Sequence, residues 1–183
     1  SLNGTTGRVY PGEVPTKAPD LTPEFLELMS LCDKYAKLQV RTNADTPADA
    51  QIARNFGAKG IGLTRTEHMF FEGKKIIAMR EMILAETSEA RAKALDKLLP
   101  YQKADFKGIL DAMDGCPVNI RLLDPPLHEF VPHDIEGQET MAREMGVDLA
   151  TIQRRVDSLA ENNPMLGHRG CRLGITFPEI TAM

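Results

Sequence analysis

Leu38-Gln39-Val40-Arg41-Thr42-Asn43, Thr46-Pro47-Ala48-Asp49 and Gly60-Ile61-Gly62-Leu63-Thr64-Arg65 follow one another within one stretch of the chain, and their reading decides the fold. The first is a short strand candidate. In the second, Thr46 can cap a helix whose first position is a proline with a preset helical φ, and Asp49 can return the bond as a shorter version of the capping box. That helix is expected to end at Gly57. The third is a strand whose glycines permit close backbone approach and which delivers Arg65 at its C-terminal end. Two strands joined by a helical crossover are most simply parallel, and a parallel sheet presents ligand groups at the C-terminal ends of its strands.

Downstream, residues 72–113 leave this short period. The segments 74–85 and about 88–113 are rich in Ala, Leu, Lys, Glu and Met, with Pro100 expected to break the second into two helices, so the region reads as an inserted helical arm packed outside the sheet. Pro117 to Leu123 is a third strand candidate, stopped by Asp124-Pro125-Pro126 because paired prolines cannot continue a ladder. The runs 38–43, 59–65 and 117–123 are expected to be neighbouring parallel strands. After an irregular stretch, 136–146 and 148–161 read as helices, the second capped by Asp148, and Asn162 to Gly170 is a polar, glycine-bearing loop.

Upstream, residues 1–20 carry Gly4, Gly7, Pro11, Gly12, Pro15 and Pro19 around short apolar pieces, the pattern of a hairpin or strand remnant running into a linker. Thr22-Pro23 then opens a helix over about 23–37. The expected division is a tail and linker over 1–20, a linker helix over 21–37, and an α/β unit over 38–183 that holds the arm.

The 183 residues are 42% hydrophobic with a formal charge of −4, a profile in which a core can form. There is no apolar run long enough to span a bilayer and no basic-then-apolar leader, so an intracellular soluble protein without a membrane partner is expected. Mixed charges without a basic stripe, seven Phe, three Tyr and no Trp make nucleic acid an unsuited partner. Cys32, Cys116 and Cys171 are odd in number and far apart, so they read as reduced thiols, with neither a disulfide framework nor a zinc site.

Three arginines stand where loops leave or follow the strands: Arg65 in Thr64-Arg65-Thr66-Glu67, Arg121 before Asp124, and Arg169 in Gly167-His168-Arg169-Gly170. A guanidinium there can give two parallel hydrogen bonds to a phosphate or carboxylate. The plainer alternative is a solvated arginine or an ion-pair partner. Asp124 either orients Arg121 or begins the turn before Pro125. His68 and His168 read as loop hydrogen-bonders, and Met69, Met79 and Met82 as core.

Three strings carry more than this. Gly60 to Phe71 (G-I-G-L-T-R-T-E-H-M-F-F), Arg121 to Pro132 (R-L-L-D-P-P-L-H-E-F-V-P) and Asn163 to Arg172 (N-P-M-L-G-H-R-G-C-R) closely resemble three blocks of the phosphoenolpyruvate-utilising enzymes. That family includes phosphoenolpyruvate synthase and enzyme I of the bacterial sugar phosphotransferase system, and D-P-P-L-H-E-F points to its pyruvate phosphate dikinase branch. The resemblance runs through nearly the whole chain. It implies a partial (β/α)8 TIM barrel of about three parallel strands, binding phosphoenolpyruvate or pyruvate with Mg²⁺, and a swivelling domain that brings the phosphoryl group on a histidine. Arg65 and Arg121 would hold the phosphoryl group in transfer, and Arg169 would join them on the phosphate or carboxylate.

The resemblance also places the phosphorylated histidine, in a T-S-H-A type motif, upstream of residue 1. It places the Mg²⁺-binding carboxylates and the enolate-protonating cysteine downstream of Met183. Leu2 to Val9 resembles the last strand region of the phosphohistidine domain, which is then a partner within the parent chain, and none of the four histidines matches the phosphorylated one. A fragment of a homodimeric enzyme, cytoplasmic or else housed in a plastid or glycosome, is the expectation, with little activity by itself and no catalytic residue or metal ligand of its own. Two alternatives stay open: a fragment of phosphoenolpyruvate synthase, and a stand-alone helical interaction module whose surface is the 72–113 arm.

Overall fold

The computed structural model describes residues 1–16, 21–71, 73–124, 127–160 and 163–183, and the chain divides into two compact units, Ser1–Leu38 and Gln39–Met183. In the first, β1 (Leu2–Asn3) and β2 (Arg8–Val9) pair antiparallel as a hairpin, closed at the tip by the Asn3 Oδ1, which accepts from the backbone N–H groups of Thr5 and Thr6. Helix α1 (Pro23–Tyr35) starts where the cap residue predicts, with Thr22 Oγ1 accepting from Phe25 N–H at 3.3 Å.

The second unit is built on β3 (Thr42–Asn43), α2 (Pro47–Asn55) and β4 (Ile61–Arg65). Thr46 caps α2 by accepting from Asp49 N–H at 3.1 Å, and the chain leaves the helix at Gly57, whose φ of +88° is left-handed backbone that suits glycine. Next come a 3-10 helix (Thr66–Phe70), α3 (Gly73–Leu84), α4 (Ser88–Ala112) and β5 (Val118–Arg121). The sheet order is β3-β4-β5 and both pairings are parallel, as the three runs predict. The strands are shorter than expected: 38–43 contracts to Thr42–Asn43 and 117–123 to Val118–Arg121, because β3 and β5 are the edges of the described sheet and pair on one side only. Gly60 lets β4 start tight against its neighbour, since a Cβ there would lie 2.7 Å from the Pro117 carbonyl oxygen. The prolines expected to stop β5, Pro125 and Pro126, lie outside the described residues.

One expectation fails. Pro100 does not divide 88–113; α4 runs unbroken through it. A proline inside a helix removes a donor and crowds the carbonyl four residues back, at a cost of ~3 kcal/mol. Burial on both sides of the proline offsets that cost. Before it, Ala94, Leu95 and Leu98 enter a core with Met79 and Met82 of α3; after it, Ile109, with Met113 just past the helix end, packs on Ile61 of β4 and Ala50 of α2. Tertiary contact thus keeps continuous what local propensity would break. The methionines Met69, Met79 and Met82 are core, as their spacing suggests.

Beyond β5, a 3-10 helix (Leu127–Phe130) leads to α5 (Ile135–Met145) and α6 (Leu149–Ser158), which bury Val131, Met141, Ala142, Ile152 and Val156 against each other. Asp148 caps α6, accepting from Thr151 N–H at 2.8 Å. Within the expected loop, Asn162 lies outside the described residues and Pro164–Leu166 forms a 3-10 turn; α7 (Cys171–Thr176) and α8 (Pro178–Ala182) follow. Leu173 and Ile180 bring these last helices into the α3–α4 core, and Arg91 of α4 secures them: its guanidinium lies 3.7 Å over the Phe177 ring and 2.8 Å from Glu179 Oε1.

Candidate functional site

Parallel pairing decides where the first two arginines stand. Arg65 is the last residue of β4 and Arg121 the last of β5, and the two are register partners. Their side chains are each one-third exposed, reachable by a solute yet backed by protein.

Each guanidinium is met by a carboxylate. Asp45, just beyond β3, accepts the Arg65 backbone N–H on Oδ1 at 2.7 Å and lies 3.5 Å from an Arg65 Nη through Oδ2. The same Oδ2 stands 2.8 Å from Nδ1 of His68. Arg121 donates to Glu67 Oε1 and is 3.5 Å from Asp124 Oδ2. Arg169 grips Asp124 with two bonds, Nε to Oδ1 at 2.8 Å and Nη2 to Oδ2 at 3.0 Å, and this hydrogen bonding raises its pKa above the usual arginine value. Asp124 therefore stands against both arginines, in hydrogen-bond contact with Arg169 and at ion-pair distance from Arg121. Gly170, with φ +57°, allows the Arg169 loop to come this near; a Cβ there would sit 3.2 Å from Asp124 Oδ1.

Several buried polar atoms beside these pairs have no hydrogen-bond partner among the described residues: Thr64 Oγ1, Thr66 Oγ1, Glu67 Oε2 and Arg121 Nε. Arg121 Nε is thus an orphaned donor on a one-third-exposed guanidinium, and an oxygen acceptor brought to it would complete its bonding. Arg121 and Thr66 also border a cavity of about 880 Å³, walled by Leu99, Phe106 and Leu110 of α4, Ile120 and Leu122 of the β5 region, and Ile175 of α7. Arg65 and Arg169 are not among its lining residues.

Sequence reasoning singled out the three arginines and missed two of their partners, Asp45 and Glu67. Glu67 is buried at 4% exposure because Thr66–Phe70 coils into a 3-10 turn that tucks it under the strand ends. The available signal was the need of half-buried guanidiniums for counter-charge, with Asp45 two residues after β3 and Glu67 two residues after Arg65. His68 is the hydrogen-bonder it was expected to be, and the His168 ring lies tilted 5.5 Å from Phe177. Among the described residues no group of three or more His, Cys, Asp or Glu is disposed to hold a metal ion, and no helix is long and apolar enough to cross a membrane.

Residues 20–183 match the family described as PEP-utilising enzyme, PEP-binding domain. Over its whole length the chain is 57% identical to a pyruvate, phosphate dikinase of Giardia intestinalis, 52% to one of Clostridium symbiosum and 58% to pyruvate, phosphate dikinase 2 of Oryza sativa subsp. japonica. It spans 21% of each of these relatives.

Proposed function

Because the chain belongs to the PEP-utilising enzymes through their PEP-binding domain, we propose that it forms the phosphoenolpyruvate/pyruvate half-site of a pyruvate phosphate dikinase. In the overall reaction, ATP, pyruvate and phosphate are interconverted with AMP, phosphoenolpyruvate and diphosphate. The three parallel strands are then part of a (β/α)8 barrel whose ligand end is the C-terminal edge of β4 and β5. The observation that carries the proposal is the register pairing of Arg65 with Arg121 at that edge, extended to Arg169 through Asp124.

A phosphoryl group in transfer spreads charge over its equatorial oxygens, and guanidiniums already in place stabilise that charge without moving a proton. In this reading Arg65 and Arg121 receive the phosphoryl oxygens, and Arg169 receives the phosphate or the carboxylate. The group arrives on a histidine of a phosphohistidine domain in the same parent chain, to whose last strands 1–20 belong. The parent is a homodimer in this reading. Mg²⁺, which the resemblance implies, would neutralise substrate oxygens. Asp45, Glu67 and Asp124 do not fit it as ligands, because each is paired with an arginine and, among the described residues, they do not gather into a group that could hold a metal ion. The three arginines therefore contribute cationic binding, and the carboxylates paired with them contribute orientation.

The test is Arg65→Lys or Arg121→Lys in a full-length dikinase carrying this segment. Lysine keeps a point charge and loses the fork, so the half-reaction between phosphohistidine and pyruvate should slow by about 100-fold or more while the nucleotide half-reaction is kept. Equal loss in both half-reactions would reject the assignment.

A further inference from the structure

We propose that Asp45 is a positioning residue that sets both the aim and the affinity of Arg65; this rests on the reading of Arg65 as a phosphate-binding residue. The geometry is specific. Asp45 lies beyond the last ladder residue of β3, and its Oδ1 takes the Arg65 backbone N–H at 2.7 Å, so a side chain continues the β3–β4 hydrogen bonding one step past the strand end. Its Oδ2 restrains the guanidinium of the same residue at 3.5 Å. One carboxylate thus fixes Arg65 at backbone and head together. At 16% exposure it is shielded enough for its charge to be felt.

The same carboxylate opposes the ligand. It repels an incoming phosphate and competes with it for the fork, so Asp45 exchanges some affinity for orientation. His68 modulates the exchange, because its Nδ1 occupies Oδ2 at 2.8 Å and draws the carboxylate from the guanidinium.

Asp45→Asn keeps an oxygen for the Arg65 N–H and removes the charge. In a full-length dikinase carrying this segment, D45N should bind phosphoenolpyruvate about threefold to tenfold more tightly while the pyruvate half-reaction slows about tenfold. A merely structural role would not tighten binding. In an R65K background, where the fork is already lost, D45N should slow the half-reaction no further and should tighten binding less, through the lost repulsion alone. H68L, which leaves Oδ2 to Arg65 alone, should shift affinity the other way, about twofold weaker, and it keeps the proposal testable if D45N does not fold. An active R65K defect with D45N silent, with D45N acting equally in both backgrounds, or with H68L leaving affinity unchanged overturns the role of Asp45 alone. R65K with wild-type affinity and turnover overturns the reading of the site and Asp45's role with it.

Discussion

Arg169 and Asp124 meet fork to fork, Nε to Oδ1 at 2.8 Å and Nη2 to Oδ2 at 3.0 Å, although 45 residues separate them. Because Asp124 also lies 3.5 Å from Arg121, this one carboxylate joins the loop before α7 to the end of β5. Asp124→Ala should therefore loosen two guanidiniums at once. In a full-length dikinase carrying this segment, the pyruvate half-reaction is expected to fall about 100-fold with the nucleotide half-reaction retained. D124A combined with R169K should cost little more than D124A alone; additive losses would show that Asp124 does not act through Arg169.

The tie between Arg91 and Glu179 carries a pH signature. The Arg91 hydrogen bond, helped by one from the backbone, holds the Glu179 carboxyl below its ordinary value of 4.5. A depressed folded-state pKa contributes stability that is present above 4.5 and is lost as pH falls through the folded value. Glu179→Gln should accordingly lower the melting temperature of this chain at pH 7, and the gap to wild type should close as pH is taken below 4.5. A gap that stays constant across that window would refute the assignment.

Pro100 sits exposed in an unbroken α4, so its ring contributes little packing to offset its missing donor. Pro100→Ala restores one helical bond and frees some unfolded-state entropy, for a net gain of about 1–2 kcal/mol. Denaturant unfolding of this chain should show the higher midpoint; an unchanged or lower one would mean that α4 needs the proline.

Gly108 gives the opposite sign. Glycine to alanine in mid-helix ordinarily gains up to about 1 kcal/mol. Here a Cβ would lie 2.6 Å from Cγ of Pro47, where α4 crosses the start of α2. Gly108→Ala should therefore lower the unfolding midpoint and, by displacing Pro47, shift Asp45 two residues before it. Retained or increased stability would show that α2 yields freely.

Much of this was legible beforehand. Thr22, Thr46 and Asp148 start helices where capping chemistry says they should, and the crossover between two short apolar runs foretold parallel strands. What escaped was non-local. Local propensity breaks a helix at Pro100, while Leu98 and Ile109 on either side are held by partners in α3 and β4. Asp45 falls between two elements and belongs to no motif, and only the register of β3 on β4 turns it toward Arg65. The resemblance gave the arginines and said nothing of the carboxylates that hold them.

Those carboxylates have a kinetic consequence. Arg65, Arg121 and Arg169 stand against Asp45, Glu67 and Asp124, charge for charge, so the strand ends cast little net field into solvent. Such a site does not draw anions from a distance as an unpaired basic cleft would. A trianion would find it by ordinary diffusion and take hold only once the internal pairs give way at contact. The association rate for phosphoenolpyruvate should then vary little between low and physiological ionic strength, while the dissociation rate carries the selectivity. A steep fall of the association rate with added salt would show instead that these arginines act as an electrostatic funnel.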